Sequence, residues 1–461
     1  MPLALALLLL PASLSVAQQP PPSFTEQVEV RVMDLDVVVT DRDGKPVTDL
    51  KREDFTVRLG GKVVPIDYFA RVGAGAIHAP DLSTASPDQV LAVYRQEDQA
   101  YVPRHFLIYV DVGHLAPDGR RRGFEAVRDL VTRLGPNDHG RIVLFDRRSR
   151  ELTGWTSSKE TLFSALTKIE GSGLGMSRLD AERRALTGID TVMGRNARDQ
   201  AINRESVARE YAEQSRGEVR ELLRDVGSEL TTLAPLAGKK AFLFVSGGFE
   251  FKPGHVMAAY AASQPNVLST VVRDVSDELE GIARRANASE ITFYTLDARG
   301  LDSARGSTAT DSALLASSGV SFLARQDSQE GLNALARETG GIALLSSNDV
   351  ATGVARIYQD TSAYYSIGMA LAKLPVSGHQ AVRVDASRPG LTVRARRGYT
   401  ASNQADRERD RVQAALRTNV SSTDIPLTLR TEPPTRAGKR YRFAISVLFP
   451  ASGLTFTPAG G

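Results

Sequence analysis

The stretch Phe106-Leu107-Ile108-Tyr109-Val110-Asp111 decides the fold of this chain. Five consecutive apolar residues are typical of a strand that is buried on both faces, as in a parallel sheet covered by helices on each side. The polar residue that ends the run, Asp111, then lies at the carboxyl end of the strand. The stretch therefore predicts a central strand of such a sheet, with Asp111 at its carboxyl end.

Strands and helices alternate on the carboxyl side of this stretch. Apolar residues recur at helical spacing over residues 124–134, and short apolar runs then predict further strands. These predicted strands lie at residues 142–145, 152–155, 241–245, 291–296 and 342–345. The loop at 146–150 is too short for a parallel return, so it favours an antiparallel pair on either side of it. The alternation predicts an α/β fold with a mostly parallel six-stranded sheet and helices on both faces.

Four segments between the predicted strands need an interpretation of their own. The Gly-rich residues 171–175 are interpreted as a flexible loop, although backbone amides there could also hold an anion. Residues 178–233 are charged and largely helical. We interpret them as an insertion that covers the sheet or, alternatively, as an arm that binds a partner. Residues 268–282 carry the apolar spacing of one more helix, whereas residues 300–327 lack periodicity and predict a loop.

β-strand patterns flank the alternating region. Glycines at the predicted turns 41–44 and 60–61 supply the positive φ that hairpins need. On the amino side, the predicted boundaries are 1–17 for a signal peptide, 18–27 for a linker, 28–72 for an N-terminal β module and 73–101 for a connector. The α/β domain is predicted over 102–360, and β segments that close on it over 361–400, with strands at 364–371, 381–385 and 391–395. Residues 401–461 are predicted to form a linker helix (403–417) and the start of a truncated β domain.

The N-terminal residues predict export. Residues 1–10 are almost entirely Leu and Ala, Pro11 ends the run, and Ser15-Val16-Ala17 places small residues where a signal peptidase cleaves. A buried N-terminal helix is the alternative. No later stretch is long enough to span a bilayer, so we expect a secreted or periplasmic protein without a membrane span once the signal peptide is removed. The chain has no cysteine, which excludes disulfides and thiol chemistry.

Charge and motifs exclude several classes of function. The chain has 57 basic and 54 acidic residues, interleaved along its length, so it lacks the basic stripe of a nucleic-acid binder. Its six histidines are scattered, and no phosphate-binding loop, nucleophile elbow or metalloprotease motif is present. The sequence therefore predicts a protein that binds rather than catalyses.

Three stretches carry a resemblance to a known family. They are residues 37–50 with 53–55, the Asp111 region, and residues 389–399. Together with Val245-Ser246-Gly247-Gly248 after a buried strand, they resemble the von Willebrand factor A domain and, more closely, a related family of exported bacterial proteins. The resemblance implies a Rossmann-like domain, flanked here by small β modules, with its ligand site where the strand order reverses.

In typical members of that family, the site holds a divalent cation through an Asp-x-Ser-x-Ser loop, a hydroxyl of a second loop and an aspartate of a third. Asp111 matches the first position, but Gly113 and Leu115 replace the two serines and Ser246 replaces the third-loop aspartate. Ser172 or Ser177 could stand in the second loop. The resemblance thus implies a degenerate metal site, with Asp111 as a weak ligand at most, and no cofactor unless a cation such as Mg²⁺ binds.

The function predicted from these observations is an extracytoplasmic protein–protein interaction or adhesion module. Its partner-binding residues are predicted at Asp111, His114, Ser172 and Ser246, and the partner is an unidentified protein. Asp111 could instead anchor its own loop, and His114 is interpreted as a loop residue rather than a transition-metal ligand. One alternative is a hydrolase-like enzyme with a pocket between the domain and its insertions. Another is a structural component of the cell envelope, which would show as a blocked sheet edge.

Overall fold

The computed structural model describes residues 32–73, 76–81, 102–170, 177–262, 274–300, 318–370 and 379–400, with short pieces between 428 and 448. Several predicted features lie outside these residues: the signal peptide (1–17), the linker (18–27), the Gly-rich loop with Ser172, and the helix over 403–417. In the described part, no helix is both long enough and apolar enough to cross a membrane.

The N-terminal segment forms five strands. They are β1 (Val32–Thr40), β2 (Phe55–Leu59), β3 (Lys62–Val64), β4 (Tyr68–Gly73) and β5 (Ala76–Asp81). The turn after β1 is built as expected, because Gly44 has a φ of 79° and the Asp41 carboxylate accepts hydrogen bonds from the backbone N–H groups of Asp43 and Lys45. Strand β5 lies inside the segment that was interpreted as a connector, and it forms a hairpin with β4.

The α/β domain follows. Its strands are β6 (Arg104–Asp111), β7 (Asp138–Asp146), β8 (Arg148–Glu151), β9 (Lys239–Ser246), β10 (Ile291–Asp297) and β11 (Ala343–Leu344). Its helices are α1 (Pro117–Arg133), α2 (Lys159–Glu170), α3 (Ser177–Thr191), α4 (Ala197–Leu233), α5 (His255–Ala261), α6 (Ser276–Ala288), α7 (Ser318–Thr339) and α8 (Val350–Ser362).

The six strands form one sheet in the order β11-β10-β9-β6-β7-β8, in which only the β7–β8 pair is antiparallel. Helices α1, α2 and α8 bury Phe124, Leu162 and Val354 against one face of the sheet. Helices α4, α6 and α7 bury residues such as Leu222 and Leu332 against the other. The predicted architecture, a mostly parallel six-stranded sheet between two helical layers, is confirmed.

Two predictions inside this domain were wrong: the position of the edge strand and the extent of a loop. The antiparallel edge strand lies at Arg148–Glu151 rather than at 152–155, because Arg147 adopts a left-handed φ of 64° and reverses the chain at once. Residues 318–327 belong to α7 rather than to a loop, since the helix begins at Ser318. The helix expected over 268–282 begins at Ser276 in the described part, and residues 263–273 lie outside it.

The strands β12 (Tyr364–Ala370), β13 (His379–Ala386), β14 (Thr392–Arg394) and β15 (Gly398–Thr400) return to the N-terminal strands. They complete two sheets, β14-β1-β12-β4-β5 and β15-β13-β2-β3, around one apolar core that includes Leu35, Phe55 and Tyr365. The predicted N-terminal β module, 28–72, and the predicted closing β segments, 361–400, are separate in the sequence. Here they form one body, the β unit, because each supplies strands that pair with the other.

Polar contacts join the β unit to the amino end of the six-stranded sheet. Lys239 at the start of β9 donates to Asp36 of β1 at 2.6 Å. Arg394 of β14 forms a bidentate salt bridge with Asp360 of α8, with N···O distances of 2.6 and 2.7 Å. Because the β unit occupies the amino end of the sheet, it leaves the carboxyl end to loops of the α/β domain itself.

Four short strands follow near the end of the described chain. They are β16 (Thr428–Thr431), β17 (Thr435–Ala437), β18 (Arg440–Arg442) and β19 (Ile445–Leu448). β16 pairs with β19 and β17 pairs with β18, so the strands expected after residue 425 are present. Ile445, Val447 and Leu448 are exposed.

Candidate functional site

Polar residues end four neighbouring strands of the six-stranded sheet. Asp111 ends β6, Asp146 ends β7, Ser246 ends β9 and Asp297 ends β10. β6 lies between β7 and β9, so the chain leaves it in one direction and later returns on its other side. This reversal of strand order is where the loops diverge and open α/β sheets bind their ligands. We call the carboxyl end of the sheet the rim.

The carboxylate of Asp111 is held by two side chains of the same chain. The Nδ1 atom of His114 lies 2.7 Å from Oδ2 and 2.9 Å from Oδ1. The hydroxyl of Ser246 donates to Oδ2 at 2.8 Å and accepts from the backbone N–H of Gly248 at 3.0 Å. Because Nδ1 faces a carboxylate, it is the ring nitrogen that carries the proton. The acceptors of this buried acid are therefore satisfied internally.

Local backbone geometry brings these groups together. Residues Val112–His114 form a single 3₁₀ turn, which returns the His114 ring to the carboxylate three residues earlier. A Cβ on Gly247 would collide with the carbonyl oxygen of His114, so only glycine lets the loop after β9 pass this turn. Gly248 has a φ of 81°, a conformation that glycine adopts without strain. The Ser-Gly-Gly sequence is thus explained by close packing of two loops.

The structure brings together three of the four predicted site residues and buries them. Asp111 and Ser246 have a relative exposure of 0%, and the His114 side chain has 6%. Their N–H, hydroxyl and carboxylate groups point at one another, so a partner would touch them only after the turn at Val112–His114 moves. Ser172, the fourth, lies outside the described residues. Ser177, its alternative, is the first residue of α3.

The two positions that carry serine in the related family have different roles here. Leu115 is fully buried in the core on the α1 side of the sheet. Gly113 leaves room beside the rim, since a Cβ there would lie 3.7 Å from carboxylate oxygens of both Asp111 and Asp146. Neither residue offers an oxygen ligand from its side chain. Among the residues that the structure describes, no group of three or more His, Asp or Glu side chains could hold a metal ion.

Sequence reasoning missed a second buried carboxylate on the rim. Asp297 accepts from Arg299 Nε at 3.0 Å and from Gln329 Nε2 at 2.7 Å, and Gln329 also donates to Ser346 at 2.9 Å. This cluster ties the loop after β10 to α7 and to the loop after β11. The signal for it was present, because Asp297 follows a buried strand in the same way as Asp111 does.

The exposed part of the rim is basic at its β7–β8 end. Arg147, Arg148 and Arg150 are exposed on this hairpin, while Ser149 donates to Asp225 of α4 at 2.7 Å. The hairpin is therefore anchored to a helix and presents guanidinium groups to solvent.

Comparisons with known proteins give weak matches. Neither a family model nor a curated protein sequence matches the chain. A von Willebrand factor type A structure from Catenulispora acidiphila is 8% identical with a TM-score of 0.29, over 74% of this chain and 75% of that one. An aerotolerance-related membrane protein from Bacteroides fragilis NCTC 9343 is 13% identical with a TM-score of 0.27, over 56% of this chain and 98% of that one. Proximal thread matrix protein 1 from the mussel byssus is 12% identical with a TM-score of 0.29, over 58% and 48%. Scores this low assign no family.

Proposed function

We propose that this chain is a protein-interaction module of von Willebrand factor A type that docks a protein partner at the rim, without a bound metal ion. The observation that carries the proposal is the position of Asp111 together with its hydrogen bonds. It stands where the strand order reverses, and its carboxylate is held by His114 and Ser246.

The metal-free part of the proposal follows from ligand chemistry. Mg²⁺ requires near-octahedral oxygen coordination and sheds its waters reluctantly. At this rim, Gly113 and Leu115 supply no side-chain oxygen, and the Ser246 hydroxyl already donates its proton to Asp111. A cation would have to displace the His114 ring as well. We therefore regard the site as a metal-ion-dependent adhesion site that has become degenerate, with an internal hydrogen-bond cluster in place of the ion.

The cluster serves to position loops rather than to touch the partner. Asp111 and Ser246 fix the loops after β6 and β9, and Asp297 fixes the loop after β10. The partner then meets exposed residues around them, such as Arg148 and Arg150 on the β7–β8 hairpin. Such exposed charges favour an acidic partner surface and a fast encounter.

We propose no catalytic role for the site. A serine nucleophile needs a base that accepts its proton, usually a histidine. Ser246 donates instead to a carboxylate, and His114 lies on the far side of that carboxylate. The structural-component alternative requires a blocked sheet edge, yet the edge strand β8 is exposed along all four of its residues and, within the described residues, pairs with no strand of the β unit.

We also propose that the module acts outside the cytoplasm, in the periplasm or after secretion. The support is the signal-peptide pattern of residues 1–17. Fractionation of cells that express the full chain tests this directly. The protein should appear in the exported fraction shortened by about 17 residues, and a full-length product in the cytoplasm would contradict the proposal.

Two measurements test the docking proposal. Calorimetric titration of Mg²⁺, Mn²⁺ and Ca²⁺ into the protein should give no binding heat, whereas heat that Asp111→Ala abolishes would establish a metal site. For the partner, a photo-crosslinking amino acid is placed at Arg148 and, as the control, at Lys62, which is exposed on the β unit. A defined protein should crosslink at position 148 and not at position 62. Equal crosslinking at both, or none at 148, would refute docking at the rim.

A further inference from the structure

A groove lies on the side of the α/β domain, away from the rim. It has a volume of about 680 Å³ and runs between α4 and α6 toward β13 and β15 of the β unit. Buried Leu223 and Ile282 form part of its floor. The volume falls within the range of sites that bind small molecules or peptide segments, and such sites often lie where two bodies meet.

The groove is lined by more positive than negative charge. Arg220 and Arg224 reach it from α4, Arg284 and Arg285 reach it from α6, and the acidic residues in the lining are Asp277 and Glu278. Two of the arginines are paired, because Arg220 binds Glu278 at 2.9 Å and Arg284 binds Glu280 at 3.2 Å.

The other two arginines, Arg224 and Arg285, have no carboxylate partner within the described ranges. The hydrogen bond of Arg285 goes to the carbonyl oxygen of Gly281 at 3.4 Å. Both side chains belong to exposed residues. Two guanidinium groups on facing helices therefore present donors across the groove, and guanidinium groups bind carboxylates through paired N–H···O bonds.

A glycine of α4 makes room for one of these guanidinium groups. A Cβ on Gly227 of α4 would collide with the Arg285 guanidinium, so this glycine creates the space in which the guanidinium lies. A Cβ on Gly281 of α6 would have nothing within 4 Å, so this position faces open space. Glycine in a helix interior lowers stability by about 0.5–1 kcal/mol relative to alanine. Helix α4 tolerates this loss at Gly227, where the Arg285 guanidinium needs room.

The β unit closes the far end of the groove. His379 and Thr400 line it there, and their side chains lie in contact, with Nδ1 and Oγ1 at 3.2 Å. A ligand in the groove would therefore touch both the α/β domain and the β unit.

We propose that this groove binds an acidic peptide segment of a protein partner, whose carboxylates pair with Arg224 and Arg285. Charge complementarity selects the class of ligand, and the length of the groove across two helices and the β unit selects an extended segment over a small anion. The inference does not rest on docking at the rim, because none of the groove residues belongs to the strand ends that form the rim.

The test uses the full chain and a fluorescein-labelled peptide of eight glutamates, with fluorescence anisotropy as the readout. The peptide should bind, and binding should weaken as NaCl is raised from about 50 to about 300 mM. The double variant Arg224→Ala/Arg285→Ala should bind about tenfold more weakly, since each exposed charge pair contributes up to about 1 kcal/mol. The matched control is Arg195→Ala/Arg198→Ala, which removes two exposed arginines from the start of the α4 region and should leave affinity unchanged.

Equal weakening in both double variants would show non-specific attraction and overturn the proposal, as would the absence of peptide binding at low salt. If inorganic phosphate binds with the same arginine dependence while the peptide does not, the groove takes a small oxyanion and the peptide proposal is wrong. Circular dichroism should show the same fold for all variants, because the four substituted residues are exposed.

Discussion

Replacing Asp111 by alanine removes the acceptor of two buried donors, the Ser246 hydroxyl at 2.8 Å and His114 Nδ1 at 2.7 Å. A buried donor left without a partner costs about 1–3 kcal/mol, so the variant should lose about 2–5 kcal/mol of its free energy of unfolding. Asp111→Asn retains one acceptor oxygen and should lose about half as much. Urea titration measures both, with the fluorescence of Trp155 as the signal. Trp155 is the only tryptophan and packs against His105 inside the α/β domain.

The same experiment separates a carboxylate that is held by internal donors from an empty cation site. In an empty site, carboxylates repel one another, and removing one would stabilise the protein. A higher urea midpoint for Asp111→Ala would therefore refute our interpretation of the rim. A midpoint of the unmodified protein that rises with millimolar Mg²⁺ would refute it as well, because a ligand that binds only the folded state stabilises that state.

Three further predictions concern buried ionisable groups near the amino end of the sheet. Arg104 forms a bidentate salt bridge with Asp138, with N···O distances of 2.7 and 2.6 Å. Arg104→Met should therefore lower the free energy of unfolding, measured in urea, by about 3–5 kcal/mol. Adding Asp138→Leu should recover part of that loss, and no recovery would contradict the assignment. Burial lowers the pKa of His105 from 6.5 to about 4, so the unfolded chain binds more protons between these pH values. Stability should then fall by up to about 3 kcal/mol as pH falls from 6.5 to 4, and His105→Phe should remove this fall. Burial, helped by the neighbouring Asp36, raises the pKa of Asp34 from 3.8 to about 7, so the folded chain holds the extra proton between them. Stability should fall as pH rises through that window, and Asp34→Asn should flatten the dependence when urea midpoints are followed by circular dichroism; an unchanged slope would refute it.

The central strands were predictable because burial on both faces leaves a continuous apolar run. Their full extent was not. β6, β7 and β9 each begin with a charged residue, Arg104, Asp138 and Lys239, and these charges are buried only because they find partners across the fold. A hydrophobic pattern cannot show a pairing between distant residues, so the strands it predicts are too short at their ends.

The same reason explains the larger misses. β8 is a charged strand exposed along its length, so nothing in its composition distinguishes it from a loop. The β unit depends on pairs such as Met33 with Met369, which local periodicity does not reveal. At the site, strand ends correctly placed Asp111 and Ser246 on one edge, but the role of His114 required the geometry of the 3₁₀ turn after β6.

The β unit is assembled from the two sides of the α/β domain, so its sheets can be completed only after both sides have been synthesised. The six central strands lie together between residues 104 and 344, whereas Tyr365 reaches Val47 over 318 residues. At a synthesis rate of about 5–20 residues per second, the first strands wait roughly 15–60 s for their partners. During that interval their apolar edges are open to wrong pairing. The α/β domain can complete its core first, and it then holds the two halves of the β unit close enough to join.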